Sequence, residues 1–212
     1  MSLLSSFVLR SRSSLVRFSQ ISRDMSKSAL VYLAPGAEEM ELVIAVDVLR
    51  RGGVNVTVAG LPDKNCVKCS RGVLINPDTG IEQAMSLAPF DALVLPGGLA
   101  GSQALAESQE VGKMLKEQEQ AGRIIGAICA APTALKAHGI GVGKNLTSYP
   151  SVENSLIEGA AYNYKQDNVV VDGTLITSRG PGTAYNFALT LVEQLVGKEK
   201  AQEVAKAMLI EY

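Results

Sequence analysis

Cys129 ends the apolar run Arg123-Ile124-Ile125-Gly126-Ala127-Ile128 and is followed by Ala130, Ala131 and Pro132. This order reads as a strand, a thiol and the opening of a helix, because proline is well tolerated in a first helical turn, where its missing N–H is not needed. Small residues on either side suit a sharp strand-to-helix elbow that exposes a nucleophile. At a helix N-terminus, free N–H groups and the helix dipole favour thiolate over thiol, and a cysteine pKa near 8.5 can fall to roughly 3.5–7.5. The alternative is a buried structural cysteine, common in apolar strands.

Three further strand ends offer groups that such a thiol would use. Gly97-Gly98 follows Asp91-Ala92-Leu93-Val94-Leu95-Pro96, and backbone N–H groups freed of side chains there, together with the N–H of Ala130, would form an oxyanion hole. An ordinary tight turn fits the same residues. After Pro35-Gly36, Glu38, Glu39 and Glu41 open a helix, where carboxylates are favoured by the dipole alone. Glu41 differs in sharing a helical face with Ile44 and Ala45, so it would point inward, and burial would raise its pKa and keep it protonated. A protonated carboxyl beside a thiolate can donate a hydrogen bond. The segment Ser178-Arg179-Gly180-Pro181-Gly182-Thr183 introduces another helix and shapes the rim.

The elements that must position these groups alternate between short β-rich runs and longer helical patterns. Residues 29–34 and 54–60 read as strands around a helix through 43–51. VKCS and GVLIN read as short strands, and 91–96 and 123–128 as buried ones. Helices are expected near 107–120, over 131–138 and over 185–195, with paired strands over 168–178 turning at Asp172-Gly173. Such alternation predicts βαβ units in one domain, 29–212: an α/β doubly wound, mostly parallel sheet with helices on both faces, whose chemistry gathers beyond the carboxyl ends of the strands.

Composition narrows the function. With 47% hydrophobic and 19% charged residues in 212, the chain can fill a core, which excludes intrinsic disorder. Twenty Lys plus Arg against twenty-one Asp plus Glu leave a net charge of -1, so nucleic acid is not indicated as a partner. Residues 1–28 carry Arg10, Arg12, Arg17, Arg23 and Lys27 against Asp24, among serines and scattered apolar residues. That is the composition of a mitochondrial transit peptide; the other reading is a disordered tail ahead of a second start at Met25. Neither a secretory signal nor a membrane span is present in the pattern. The expected location is therefore mitochondrion, cytoplasm or both.

Several motifs lead away from cofactors. Cys66-Val67-Lys68-Cys69 would need two more ligands to hold zinc, and only Cys129 and His138 remain as sulfur or imidazole donors. In an extended segment the two α-carbons of that pair lie about 10 Å apart with side chains on opposite sides, too far for a disulfide. Gly139-Ile140-Gly141-Val142-Gly143-Lys144 follows a helix and lacks the hydroxyl of a phosphate loop. Neither a metal nor any other cofactor is expected. His138, nine residues along from Cys129, would sit roughly 13 Å away if the segment is helical, beyond catalytic reach.

The runs PGAEEMELVIAVDVLRR (35–51), CSR (69–71), VLPGG (94–98), AAPTAL after Cys129 and SRGPGT (178–183) closely resemble the Parkinson disease protein seven (DJ-one) branch of the ThiJ/PfpI superfamily, from about Ser28 to the C-terminus. The resemblance implies a flavodoxin-like homodimer with Cys129 as an oxidisable nucleophile. It implies that Glu41 hydrogen-bonds that cysteine, that Gly98 and Ala130 are its backbone donors, and that Arg71, with Arg51 from the partner subunit, forms an anion-attracting rim. Where the family places a histidine before proline, this chain has Tyr149-Pro150, and a phenol is a poor proton acceptor at neutral pH. Two functions follow as expectations. One is oxidation of Cys129 to sulfinate in an oxidative-stress response, with redox-sensing and chaperone roles exerted through protein partners. The other is glyoxalase or deglycase chemistry on methylglyoxal and glycated adducts, through a Cys129 hemithioacetal with Glu41 as acid and base. Tyr149 favours the first.

Overall fold

Apolar β-branched runs set the centre of the molecule. The computed structural model describes residues 26–212; the leader expectation lies almost wholly outside them. In chain order the elements are β1 (Ser28–Leu33), α1 (Glu39–Arg51), β2 (Asn55–Gly60), β3 (Val67–Lys68), β4 (Leu74–Ile75), β5 (Thr79–Gly80), α2 (Ile81–Ser86), β6 (Ala92–Leu95), α3 (Leu99–Glu107), α4 (Gln109–Gln120) and β7 (Ile124–Ile128). They continue with α5 (Pro132–His138), β8 (Asn145–Leu146), α6 (Glu153–Ile157), β9 (Asn163–Tyr164), β10 (Val169–Asp172), β11 (Leu175–Ser178), α7 (Ala184–Val196) and α8 (Lys198–Ala207).

Seven strands form one sheet in the order β10-β11-β7-β6-β1-β2-β5. All neighbours run parallel except β10, which pairs antiparallel with β11 through the Asp172-Gly173 turn. The order reverses between β6 and β1, the position at which an open α/β sheet leaves a crevice beyond its strand ends. Alternation along β1 divides the core: Ala29, Val31 and Leu33 pack under α1, α7 and α8, while Leu30 and Tyr32 pack under α2, α3, α4 and α5. This is the doubly wound, flavodoxin-like α/β fold with helices on both faces. Among the described residues no helix is long and apolar enough to cross a membrane.

Several elements depart from the expectation. Helix α1, read through 43–51 and opened by the acidic run, starts at Glu39, because the Glu38 carboxylate accepts the Glu41 N–H at 2.8 Å and caps it. The polar helix expected near 107–120 is α4, capped by Ser108, whose hydroxyl accepts the Val111 N–H at 3.2 Å; the helix α3 that precedes it over Leu99–Glu107 was not expected. A final helix, α8, follows a break at Gly197 and buries Ala201, Val204 and Ala205 at helical spacing. β3 and β4 pair only with each other, as a small antiparallel hairpin beside the main sheet.

Candidate active site

β7 delivers Cys129 to the crevice. Its N–H donates to the Ser178 carbonyl at 3.0 Å and its carbonyl accepts from the Tyr149 N–H at 2.8 Å, so the elbow is tied on both sides. The price of exposing the thiol is φ +63 at a non-glycine residue, a conformation that costs of order 1–3 kcal/mol and persists only where surrounding structure enforces it. Sγ then meets the N–H groups of Gly98 and Ala130.

The approach of β6 requires glycine at two positions. A Cβ on Gly97 would lie 2.5 Å from the Cys129 Cβ and 2.8 Å from Glu41 Oε2. Gly98 has φ +84, and a Cβ there would stand 2.3 Å from the Gly36 carbonyl. The two glycines do different jobs, which corrects the expectation that both serve as oxyanion donors. Gly98 faces the sulfur, whereas the Gly97 N–H donates to Glu41 Oε2 at 2.7 Å.

Glu41 is fully buried on α1. Burial raises its pKa from 4.5 to about 7, with a smaller push from the Glu38 charge, against the pull of the Gly97 N–H and the Cys129 thiol. Its other oxygen, Oε1, is buried with no hydrogen-bond partner among the described residues, and the Cys129 thiol is the side chain that acts on the carboxyl. Inward orientation and a raised pKa both agree with the sequence reading. The thiol itself does not: burial first, and the Glu41 charge second, push Cys129 up to about 12, with the Gly98 and Ala130 N–H groups opposing. Cys129 stands three residues before α5, which has only seven residues, so the helix start expected to lower the thiol pKa is not at the sulfur.

The two groups titrate as a pair. The Glu41 charge and its acceptor hydrogen bond hold the thiol up only while Glu41 is ionised. With the proton on Glu41, both effects are removed, and an O–H donor is aimed at the sulfur in their place. One proton is therefore shared between carboxyl and sulfur above about pH 7, and the Gly98 and Ala130 N–H groups draw the negative charge towards sulfur.

A cavity of about 780 Å³ opens over the sulfur, lined by Cys129, Gly98, Ala130, Arg71 and Tyr149 among others. Five of the seven expected site residues thus line one space, and Glu41 lies directly beneath. Arg71 is held by its backbone N–H, which donates to both Glu39 oxygens at 2.9 and 3.1 Å. Arg51 is not among the lining residues of its own chain; it is exposed at the end of α1 and pairs with Asp47 at 2.7 Å. Tyr149 is half-exposed at the rim, against Gly180. His138 belongs elsewhere: its Nε2 donates to the Leu105 carbonyl at 2.9 Å, and its ring packs on Gly112.

Lys68 and Cys69 are among the lining residues that escaped the sequence reading. Nothing in the spacing of the Cys66–Cys69 pair separates its members, yet Cys66 is exposed while Cys69 is buried, and both are free thiols. Burial, then the Glu39 charge, raise Cys69 to about 11; no N–H group opposes the rise there, whereas the Gly98 and Ala130 N–H groups oppose it at Cys129. Among the described residues no group of three or more His, Cys, Asp or Glu side chains is arranged to hold a metal ion.

A profile of the DJ-1/PfpI family matches residues 27–194. The chain belongs to the DJ-1/PfpI family. Protein dj-1beta of Drosophila melanogaster is 61% identical over 189 residues, covering 89% of this chain and 100% of that protein. Its crystal structure superposes with a TM-score of 0.86 over the same shares. The glutathione-independent glyoxalase DJR-1.2 of Caenorhabditis elegans is 44% identical, covering 87% of this chain and 97% of that one. An oxidised DJ-1 structure from Toxoplasma gondii is 34% identical, covers 88% of this chain and 100% of its own, and has a TM-score of 0.81. The family's DJ-1 branch is thus the one the sequence motifs resemble, and its fold is the one described above.

Proposed function

We propose that this protein acts in the oxidative-stress response through Cys129, whose thiol is oxidised to a sulfinate held in the cavity. The observation that carries the reading is a convergence: a buried carboxyl and two backbone N–H groups meet one sulfur, set on a positive-φ elbow at the floor of a cavity. Sulfur attacks one oxygen of a peroxide, the O–O bond breaks, and sulfenic acid and water form. A second peroxide oxidises the sulfenic acid to sulfinic acid and releases a second water. The sulfinate oxygens then take the N–H groups of Gly98 and Ala130, and protonated Glu41 donates to them. Mass spectrometry of the Cys129 peptide after mild peroxide should find two added oxygens in wild type. A Cys129 that stays unmodified while exposed Cys66 is oxidised rejects the reading.

A second reading is favoured by the glyoxalase named among the relatives. Here the sulfur adds to the aldehyde carbon of methylglyoxal, and the thiol proton passes through Glu41 to the new hydroxyl. Glu41 then moves a proton from C1 to C2, giving a thioester that water hydrolyses to lactate. Lactate formed by wild type and not by Cys129→Ser supports it; equal rates reject it. The same thiol can serve both chemistries, and deglycation of adducts would use the same hemithioacetal.

The proposal extends to assembly and place. A homodimer would bring Arg51 of the partner subunit to the Arg71 rim, and a chaperone role would run through protein partners of the oxidised form. Residues 1–28 would direct part of the protein to mitochondria, leaving the rest cytoplasmic. A fluorescent fusion imaged with and without residues 1–24 tests the targeting, and an elution volume of one chain overturns the shared rim.

A further inference from the structure

The SRGPGT segment is joined to the nucleophile by a pair of hydrogen-bonded hydroxyls, Ser178 and Thr183, that the reactions above do not use. Ser178 ends β11 and is fully buried, and its carbonyl accepts the Cys129 N–H at 3.0 Å. Its hydroxyl lies 2.6 Å from the Asn168 carbonyl and 2.7 Å from Thr183 Oγ1. Thr183 Oγ1 in turn receives the N–H groups of Arg179 at 3.2 Å and Gly180 at 3.1 Å. Its O–H also reaches the Gly180 carbonyl at 3.0 Å, which accepts the Thr183 N–H at 2.9 Å as well, a longer contact than the 2.7 Å to Ser178 Oγ.

The short 2.7 Å contact between the two hydroxyls orders the protons. The Arg179 and Gly180 N–H groups donate to Thr183 Oγ1, Thr183 O–H donates to Ser178 Oγ, and Ser178 O–H donates to the Asn168 carbonyl. Each link polarises the next. We infer that Thr183 is a positioning residue for Cys129: through Ser178 its hydroxyl fixes the end of β11, which holds the elbow in its positive-φ conformation. The Ala130 N–H follows Cys129 directly in the chain. If the elbow relaxes, that N–H swings away from the sulfur, and the negative charge on sulfur loses one of its two backbone donors.

This inference rests on the reactive-thiol reading, and its test separates the two. The rate of iodoacetamide alkylation is followed against pH, with modification quantified on the Cys129 peptide. Thr183→Val keeps the side-chain shape and removes the hydroxyl; its inflection should move upward by about half to one pH unit, making alkylation about three- to tenfold slower at pH values well below the wild-type inflection. Thr183→Ser should restore the wild-type profile. A purely structural role would lower the unfolding midpoint of Thr183→Val without moving the inflection, and a superposing profile overturns the inference. Should Thr183→Val fail to fold, Ser178→Ala cuts the same link while leaving the turn bonds of Thr183; the upward move is again expected, and its absence is again decisive against. If Cys129 of the wild type does not alkylate at all, the reactive-thiol reading itself fails.

Discussion

Glu41→Gln isolates the cost of keeping an acid under the nucleophile. The amide has the shape of the protonated carboxyl, can accept from the Gly97 N–H, and cannot ionise. In the folded wild type Glu41 titrates at about 7, against 4.5 when exposed. A raised folded-state pKa means that the folded protein binds this proton more tightly than the unfolded chain. Its contribution is fully present below pH 4.5 and is lost as pH rises through 7. A shift of this size corresponds to about 3 kcal/mol. Urea unfolding of both proteins at equal concentration should show similar stabilities near pH 4.5. By pH 8, Glu41→Gln should be the more stable by about 3 kcal/mol. Taking the difference between the two proteins cancels the titration of every other carboxylate. A difference that stays within about 0.5 kcal/mol across this range would mean that Glu41 is not held protonated by burial, and the shared-proton argument would go with it.

Three other perturbations address separate parts of the site. Gly97→Ala places a methyl into the Cys129 Cβ and Glu41 Oε2; thiol alkylation should fall steeply and stability should drop by about 1–3 kcal/mol, as for overpacked cores, both read from one purified variant. Tyr149→His adds an imidazole at the cavity rim without altering the backbone N–H that holds Cys129, so lactate formation from methylglyoxal should rise by about tenfold or more; an unchanged rate would leave Glu41 as the sole base. Ser108→Ala removes the α4 cap and should cost about 1 kcal/mol in urea unfolding while leaving Cys129 alkylation unaltered, since the cap lies outside the site.

The strands were legible because burial on both faces leaves near-continuous apolar runs, as in 91–96 and 123–128, bounded by Gly, Pro and Asp. The elbow at Cys129 and the inward turn of Glu41 were legible for a related reason: small residues crowd around the thiol, and apolar neighbours share the carboxylate's helical face. What escaped was decided by hydrogen bonds between residues far apart in sequence or by side chains with two uses. Ser108 reads as one more polar residue inside a helical pattern until its hydroxyl is seen to cap the next helix. Gly97 and Gly98 look equivalent, and only the position of Glu41 on α1 assigns the first to the carboxyl and the second to the sulfur. The direction of the Cys129 shift was misread because local sequence shows a helix start and hides both the depth of burial and the carboxylate, which arrives from 88 positions earlier in the chain. Lys68 and Cys69 reach the cavity through the short β3–β4 hairpin, whose placement depends on backbone bonds from Gly36 and Ser70 to Lys68 and Ala37.

The most direct test of the account is the pH dependence of iodoacetamide alkylation at Cys129 in the native protein. A proton shared with Glu41 predicts that reactivity rises with an inflection at or below about pH 7 and then levels off. In Glu41→Gln the inflection should move upward by about one unit or more. An inflection at or above the ordinary thiol range near 8.5, indifferent to that substitution, or a sulfur that reacts only after denaturant is added, would contradict it.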